Sequence, residues 1–239
     1  MSVLSPARGY ALWAPTYGET AVTVLEASAV EALGVPLVGR RVLDVGCGNA
    51  RRLAGARDAG ASMALGVDLT PEMLARAQVQ FPRLAALARN ASPLQGDLLL
   101  AAADVRGLPV ADAAFDVVWC RLVLGYVADL DAAYAELGRC CAPDGVVLVT
   151  DFHPAAAEAG HRRTFRDATG EVHELESYVH RADAHHLAAA RAGLSLRERR
   201  DCTVGDAVRD FYAEAGRIDM YEQQLGLPLV LALVFERTE

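Results

Sequence analysis

The residues able to do chemistry in this chain are a glycine turn and three acids. The turn is VLDVGCGNARRL, residues 42–53, where Gly46 and Gly48 let backbone approach a ligand closely. Their spacing starts the dinucleotide fingerprint Gly-x-Gly-x-x-Gly, but Arg51 stands where the third glycine belongs. Asp68, twenty residues after Gly48, can accept two hydrogen bonds from a ribose diol. Asp104, followed by Val105, suits an exocyclic amine and a backbone contact to an adenine edge. Asp44, just ahead of the turn, adds a further carboxylate.

These residues work together only if strand ends bring them together. Short apolar runs alternate with helical patterns, which predicts an α/β fold: a doubly wound, mostly parallel seven-stranded sheet with helices on both faces. The strands are expected at 41–46, 62–68, 97–104, 115–120, 145–152, 194–202 and 228–236. The first five are apolar throughout, as strands covered on both faces must be. TPEMLARAQ reads as a helix capped by Thr70 with Pro71 in its first turn, and DLDAAYAELGRC opens acidic and ends basic, matching the helix dipole. In such sheets ligands bind beyond the carboxyl ends of the strands, where Asp68, Asp104 and the glycine turn all fall. Residues 8–33 precede the first strand, and EASAVEAL within them reads as a helix. Residues 153–182 are read as a small cap over the carboxyl edge, a hairpin turning at Asp167 to Gly170. The segment 205–225 reads as helical. A chain of 239 residues is then one domain, 1–239.

Composition excludes several functions. The net charge of −8 argues against nucleic acid as a partner, which clustered positive charge would have to bind. The chain has no lysine, so Schiff-base and P-loop mechanisms are out. Its five cysteines show no CxxC and no zinc spacing, which fits reduced thiols, a cytoplasmic location and no metal. MSVLSPARGYALW lacks the apolar stretch of a signal peptide, and LPLVLALVF is too short to span a membrane. The sequence leaves the oligomeric state open.

Several acids around one ligand suit a cofactor that is cationic and free of phosphate. A pyrophosphate prefers bare N–H groups and a basic residue. A sulfonium bearing an α-amino group prefers carboxylates, which points to S-adenosylmethionine. Three strings carry the same message in the same order: VLDVGCGNA, ALGVDLTPEMLARA and ADVRGLPVADAAFDVVWCRLVLGYVADLDAAYAELGRCCAPDGVVLVTD. Together they resemble the class I S-adenosylmethionine-dependent methyltransferases, most of all the ubiquinone and menaquinone branch, across residues 8 to 152. The resemblance implies that Asp44, Gly46 and Gly48, with Cys47 between them, line the methionine part of the cofactor. It implies that Asp68 holds the ribose, that Leu69 and Met73 flank the adenine, and that Asp104 with Val105 binds its edge. Cys120 and Arg121 would stand beside the methionine end. WAPTYGE is similar to the family's lid, which would put Tyr10 and Tyr17 over the cofactor.

Two departures stand out. The family often reads GCGTG where this chain has GCGNA, and often carries a histidine pair where this chain has Gly125 and Tyr126. All six histidines lie between His153 and His186, and His153 follows the fifth strand directly. His153 is therefore the expected general base for a small-molecule acceptor, with Tyr17 behind it. Arg51 and Arg52 are expected on a solvated helix face. The rival readings are a protein of this fold that binds S-adenosylmethionine without transferring methyl, as a cyclase or regulatory binder, and a nicotinamide-dependent oxidoreductase.

Overall fold

The computed structural model describes residues 2–82, 84–86 and 98–238. In chain order it runs β1 (Val3–Leu4), α1 (Pro6–Trp13), a 3-10 turn (Ala14–Thr16), α2 (Ala21–Ala32), β2 (Arg41–Val45), α3 (Arg51–Asp58), β3 (Met63–Asp68) and α4 (Pro71–Gln80). There follow β4 (Leu84–Ala86), β5 (Leu98–Ala102), β6 (Phe115–Arg121), a 3-10 turn (Leu124–Tyr126), α5 (Leu130–Cys140), β7 (Cys141–Phe152) and α6 (Pro154–Glu158). The chain ends with β8 (Thr164–Arg166), β9 (Val172–Leu175), α7 (Ala182–Arg191), β10 (Leu194–Thr203), α8 (Asp206–Glu214), α9 (Ile218–Gln224) and β11 (Pro228–Arg237).

All seven expected strands are present, and the short β4 adds an eighth at the edge. The order is β10-β11-β7-β6-β2-β3-β5-β4; β11 runs antiparallel to both its neighbours, and the other pairings are parallel. Residue 97, expected in the third strand, lies outside the described residues. Because β2 pairs with β3 on one side and β6 on the other, strand order reverses at β2. The crevice for a ligand opens between the loops that follow β2 and β6.

Alternation along each strand feeds two cores. Leu43, Val45, Leu65 and Val67 face α5 and α7, packing with Tyr134, Leu137 and Ala189. Val42 and Ala64 face the other layer, with Leu25 of α2, Leu53 of α3 and Val208 of α8. Since side chains alternate with period two, Asp44 points to the same face as Val42 and is fully buried there. Of the two expected helix starts, the first keeps its proline while the Thr70 side chain makes no capping bond, and the second is capped by a side chain. Pro71 opens α4 after Thr70, and the Asp129 side chain accepts from the Asp131 amide at the start of α5.

The hairpin of the cap forms as expected, with β8 and β9 antiparallel around a turn at Asp167 to Gly170. The Asp167 carboxylate stiffens that turn by accepting from the amides of Thr169 and Glu171. Parallel pairing of β1 with β9 was not legible in the sequence. Through it Val3 and Leu4 tie the chain's start to the cap and complete a three-stranded sheet, β1-β9-β8. Leu4, Phe165 and Leu175 form its core, and Tyr10, Trp13 and Tyr126 pack against them.

Candidate active site

A cavity of about 910 Å³ lies at the carboxyl ends of the strands. Its floor is the turn after β2 and the ends of β3, β5 and β6, and its roof is α1, the following 3-10 turn and the cap sheet. Of the residues expected at the site, Tyr10, Tyr17, Gly46, Cys47, Gly48, Asp68, Leu69, Asp104, Val105 and Arg121 line it.

The turn is shaped for close approach. Gly46 has a φ of +74°, and a Cβ there would lie 2.2 Å from the side chain of Val123. The amides of Gly46 and Cys47 both donate to the Val67 carbonyl, Ala50 donates to Cys47, and Gly48 donates to Asp68 Oδ2 at 2.8 Å. These N–H groups are therefore spent within the protein and unavailable to a pyrophosphate, which would need them bare. Asp68 also accepts from the Thr70 amide at 2.9 Å, so its carboxylate is fixed while each oxygen keeps acceptor capacity for a diol. Burial raises its pKa, and those two amide bonds pull it back.

Asp44 lies behind the turn and does not line the cavity. Both of its oxygens are buried without a hydrogen-bond partner. Burial pushes its carboxyl up to about 6; Arg52 and Arg121 pull the other way, and Glu26 and Asp68 add to the rise. An orphaned carboxylate, a glycine cradle and a fixed diol acceptor fit a cationic aminoacyl nucleoside without phosphates, which is the chemistry of S-adenosylmethionine.

Other expected residues fall elsewhere. Met73 is buried beneath Gly48, its Cε 3.3 Å from where a Cβ on that glycine would stand, and does not line the cavity. Cys120 is fully buried inside β6 and serves as packing. Asp104 reaches the cavity, but Arg106 engages its carboxylate in a two-pronged ion pair at 2.6 and 2.9 Å that holds its pKa low. His153 does not reach the cavity. Its Nδ1 accepts from the Ala155 amide as the N-cap of α6, and its Nε2 stands 3.6 Å from Asp201. None of the six histidines lines the cavity. His173 sits between Ser2 and Asp167, His180 donates to the Val127 carbonyl, and His185 bonds the Tyr134 hydroxyl.

The structure also adds residues and contacts that the sequence did not show. Arg52 and Arg51 of α3 both line the cavity, Arg52 half-buried and Arg51 more exposed and paired with Glu19. Arg121 is buried against Glu26 in a two-pronged pair at 2.6 and 2.7 Å, and Thr150 bonds the same carboxylate. Arg76 of α4 grips the lid by donating to the carbonyls of Pro15 and Tyr17. Tyr10, Trp13, Tyr17 and Tyr126 cluster with ring centroids 4.8 to 6.1 Å apart, and the Tyr10 hydroxyl donates to that of Tyr126. Arg163, from the cap, completes this aromatic end.

Residues 43–149 match the model of a methyltransferase domain. Over 148 residues the chain is 34% identical to a malonyl-[acyl-carrier protein] O-methyltransferase of Halorhodospira halophila, covering 61% of this chain and 44% of that protein. It is 30% identical over 141 residues to a 27-O-demethylrifamycin SV methyltransferase of Amycolatopsis mediterranei, covering 56% and 48%. The chain thus spans less than half the length of these curated relatives. An S-adenosylmethionine-dependent methyltransferase from Mesorhizobium loti shares the fold, with a TM-score of 0.69, 22% identity and coverage of 91% of this chain and all of that one. The [4+2]-cyclase SpnF shares it too, with a TM-score of 0.66, 18% identity and 99% coverage of both chains. Residues 43–149, somewhat under half of the chain, thus match a methyltransferase domain of the class I S-adenosylmethionine-dependent kind.

Proposed function

We propose that this chain transfers a methyl group from S-adenosylmethionine to a small molecule held in the aromatic end of the cavity. One observation supports this above the others: one cavity holds both the phosphate-excluding glycine turn with Asp68 and an aromatic end under the lid. Bound S-adenosylmethionine supplies an electrophilic methyl carbon on a positively charged sulfur.

The chain's residues then have positioning roles. Asp68 holds the ribose diol, Leu69 and Val105 flank the adenine, and the Asp44 carboxylate stands behind the turn where positive charge must be met. Tyr10, Trp13 and Tyr17 exclude water above, fixed by the hold of Arg76 on the lid. Keeping nucleophile, methyl carbon and sulfur collinear in a dry pocket is the main catalytic contribution. Burial raises the pKa of Tyr17, against the pull of Arg52, so its hydroxyl keeps its proton at neutral pH and acts as a donor. With no histidine lining the pocket, the reading favours an acceptor that arrives already nucleophilic, as an ionised oxygen or a neutral amine. Oxygen is the acceptor atom we favour, because both relatives' names refer to O-methyl chemistry. We read residues 1–239 as one domain, with the lid and cap as its parts.

The test is incubation with S-adenosylmethionine labelled in the methyl group, together with a panel of small phenols, carboxylic acids and amines. Label is expected in an acceptor. Tight binding of the cofactor with no transfer to any acceptor would favour the binder or cyclase reading, since one fold can host unrelated chemistries.

A further inference from the structure

We propose that Arg163 recognises the acceptor, and that the acceptor carries a carboxylate on an apolar, aromatic body. This rests on the methyltransferase reading and names the substrate class of the same site. Arg163 is buried to 8% exposure yet lines the cavity. Its guanidinium centre lies 4.6 Å from the Tyr126 ring centroid and 4.5 Å from that of Phe152, so the cation packs on both rings. Nη2 donates to Asp151 Oδ1 at 2.9 Å, and that oxygen is itself held by the amides of Gly125 and Phe152. A guanidinium has five N–H donors in a rigid fork, so anchoring through Nη2 leaves donors of the fork for a ligand.

The charge around it points the same way. The acids among the described lining residues are Glu19, Asp68 and Asp104, of which Glu19 pairs with Arg51, Asp68 holds the glycine turn and Asp104 pairs with Arg106. The cap contributes Arg162 and Arg163 to the lining and no acid, Arg162 pairing with Glu174 and Arg163 with Asp151 behind the wall. A planar anion seated on a planar cation between aromatic rings is what such a wall selects.

The neighbouring sequence is built around this arginine. A Cβ on Gly125 would lie 2.1 Å from Nη2 of Arg163 and 2.6 Å from Asp151 Oδ1, so only glycine leaves room for the pair. Tyr126 supplies one of the two stacking faces. The Gly125-Tyr126 departure from the family's histidine pair is thus explained by Arg163.

The experiment uses full-length protein saturated with S-adenosylhomocysteine and measures binding of matched acid and amide pairs: benzoate with benzamide, cinnamate with cinnamamide, salicylate with salicylamide. The acids should bind at least about tenfold more tightly than their amides, the worth of a charge-assisted hydrogen bond. Arg163→Met should abolish that preference, weakening acid binding by about 10- to 100-fold while leaving S-adenosylhomocysteine affinity unchanged. Gly125→Ala, which displaces the guanidinium without removing it, should do the same and serves if Arg163→Met folds poorly. Amides bound as well as acids, no acid bound, or a preference that survives both substitutions would overturn the proposal. Failure of the wild-type protein to bind S-adenosylhomocysteine would instead remove the methyltransferase reading beneath it.

Discussion

Replacing Asp44 by Asn should change the stability of the ligand-free protein by an amount that depends on pH. The carboxyl is fully buried, its oxygens have no partner, and burial lifts its pKa from 3.8 to about 6. A carboxyl whose folded-state pKa is raised binds its proton more tightly folded than unfolded. It therefore costs nothing below the unfolded pKa, and its penalty grows as pH rises from there to the folded value. At about 1.4 kcal/mol per pKa unit, the gap between 3.8 and about 6 amounts to about 3 kcal/mol above pH 6. The Asn variant escapes this penalty, although its buried amide brings an unsatisfied donor costing about 1–3 kcal/mol at every pH. The diagnostic is thus the pH dependence of the difference, not its absolute sign. Urea denaturation of both proteins, ligand-free, should show the variant gaining about 2–3 kcal/mol relative to wild type between pH 4 and pH 7.5. Its affinity for S-adenosylhomocysteine should fall, because the charge that burdens the empty fold is the charge meant to meet the cofactor. A stability difference that is the same at both pH values would refute the reasoning.

Other outcomes follow from the same geometry. Arg76→Ala frees the lid carbonyls of Pro15 and Tyr17 and should weaken S-adenosylhomocysteine binding by about tenfold, roughly one charged hydrogen bond, as read by calorimetry. Glu26→Ala leaves the Arg121 guanidinium buried and unpaired and should cost about 3–5 kcal/mol in chemical denaturation. Burial raises the Glu26 pKa, but Arg52 and Arg121 outweigh it and hold the carboxyl low, so wild type should lose this stabilisation as pH falls through the acid range. Ala50 sits in the left-handed region at a φ of 58°, so Ala50→Gly should gain about 0.5–1 kcal/mol with cofactor binding kept. His153→Ala should cost about 1 kcal/mol as a lost helix cap and leave turnover within about twofold, because the ring does not reach the cavity.

The sheet was legible because strands covered on both faces must be apolar throughout. The run at 145–152 could therefore be read directly as the end of β7. The floor of the site was legible for a related reason: only strand ends meet in this fold, so Gly46, Asp68 and Asp104 had to converge. The short β4 left no pattern strong enough to read. Pairing of β1 with the cap hairpin was hidden because it joins residues more than 160 apart through two-residue contacts. Arg52 was expected on a solvated face and Arg163 drew no reading, since what an arginine packs against is supplied only by folding, here the Arg121 carbonyl and Asp151. The signal for Arg163 was present as Gly125 and Tyr126, but a glycine reports that space is needed, not what fills it. Histidine clustering misled for the opposite reason. A ring close to neutral pKa is also a good cap and carbonyl donor, and His153 and His180 are used that way.

The central claim is that the cavity takes a cationic, phosphate-free nucleoside. Its most direct test is calorimetric titration of S-adenosylhomocysteine and, separately, NAD into wild type and Asp68→Ala. One site for S-adenosylhomocysteine that Asp68→Ala weakens by about 100-fold, with no heat from NAD, is the expected result. Binding of NAD with no response to S-adenosylhomocysteine would contradict the account.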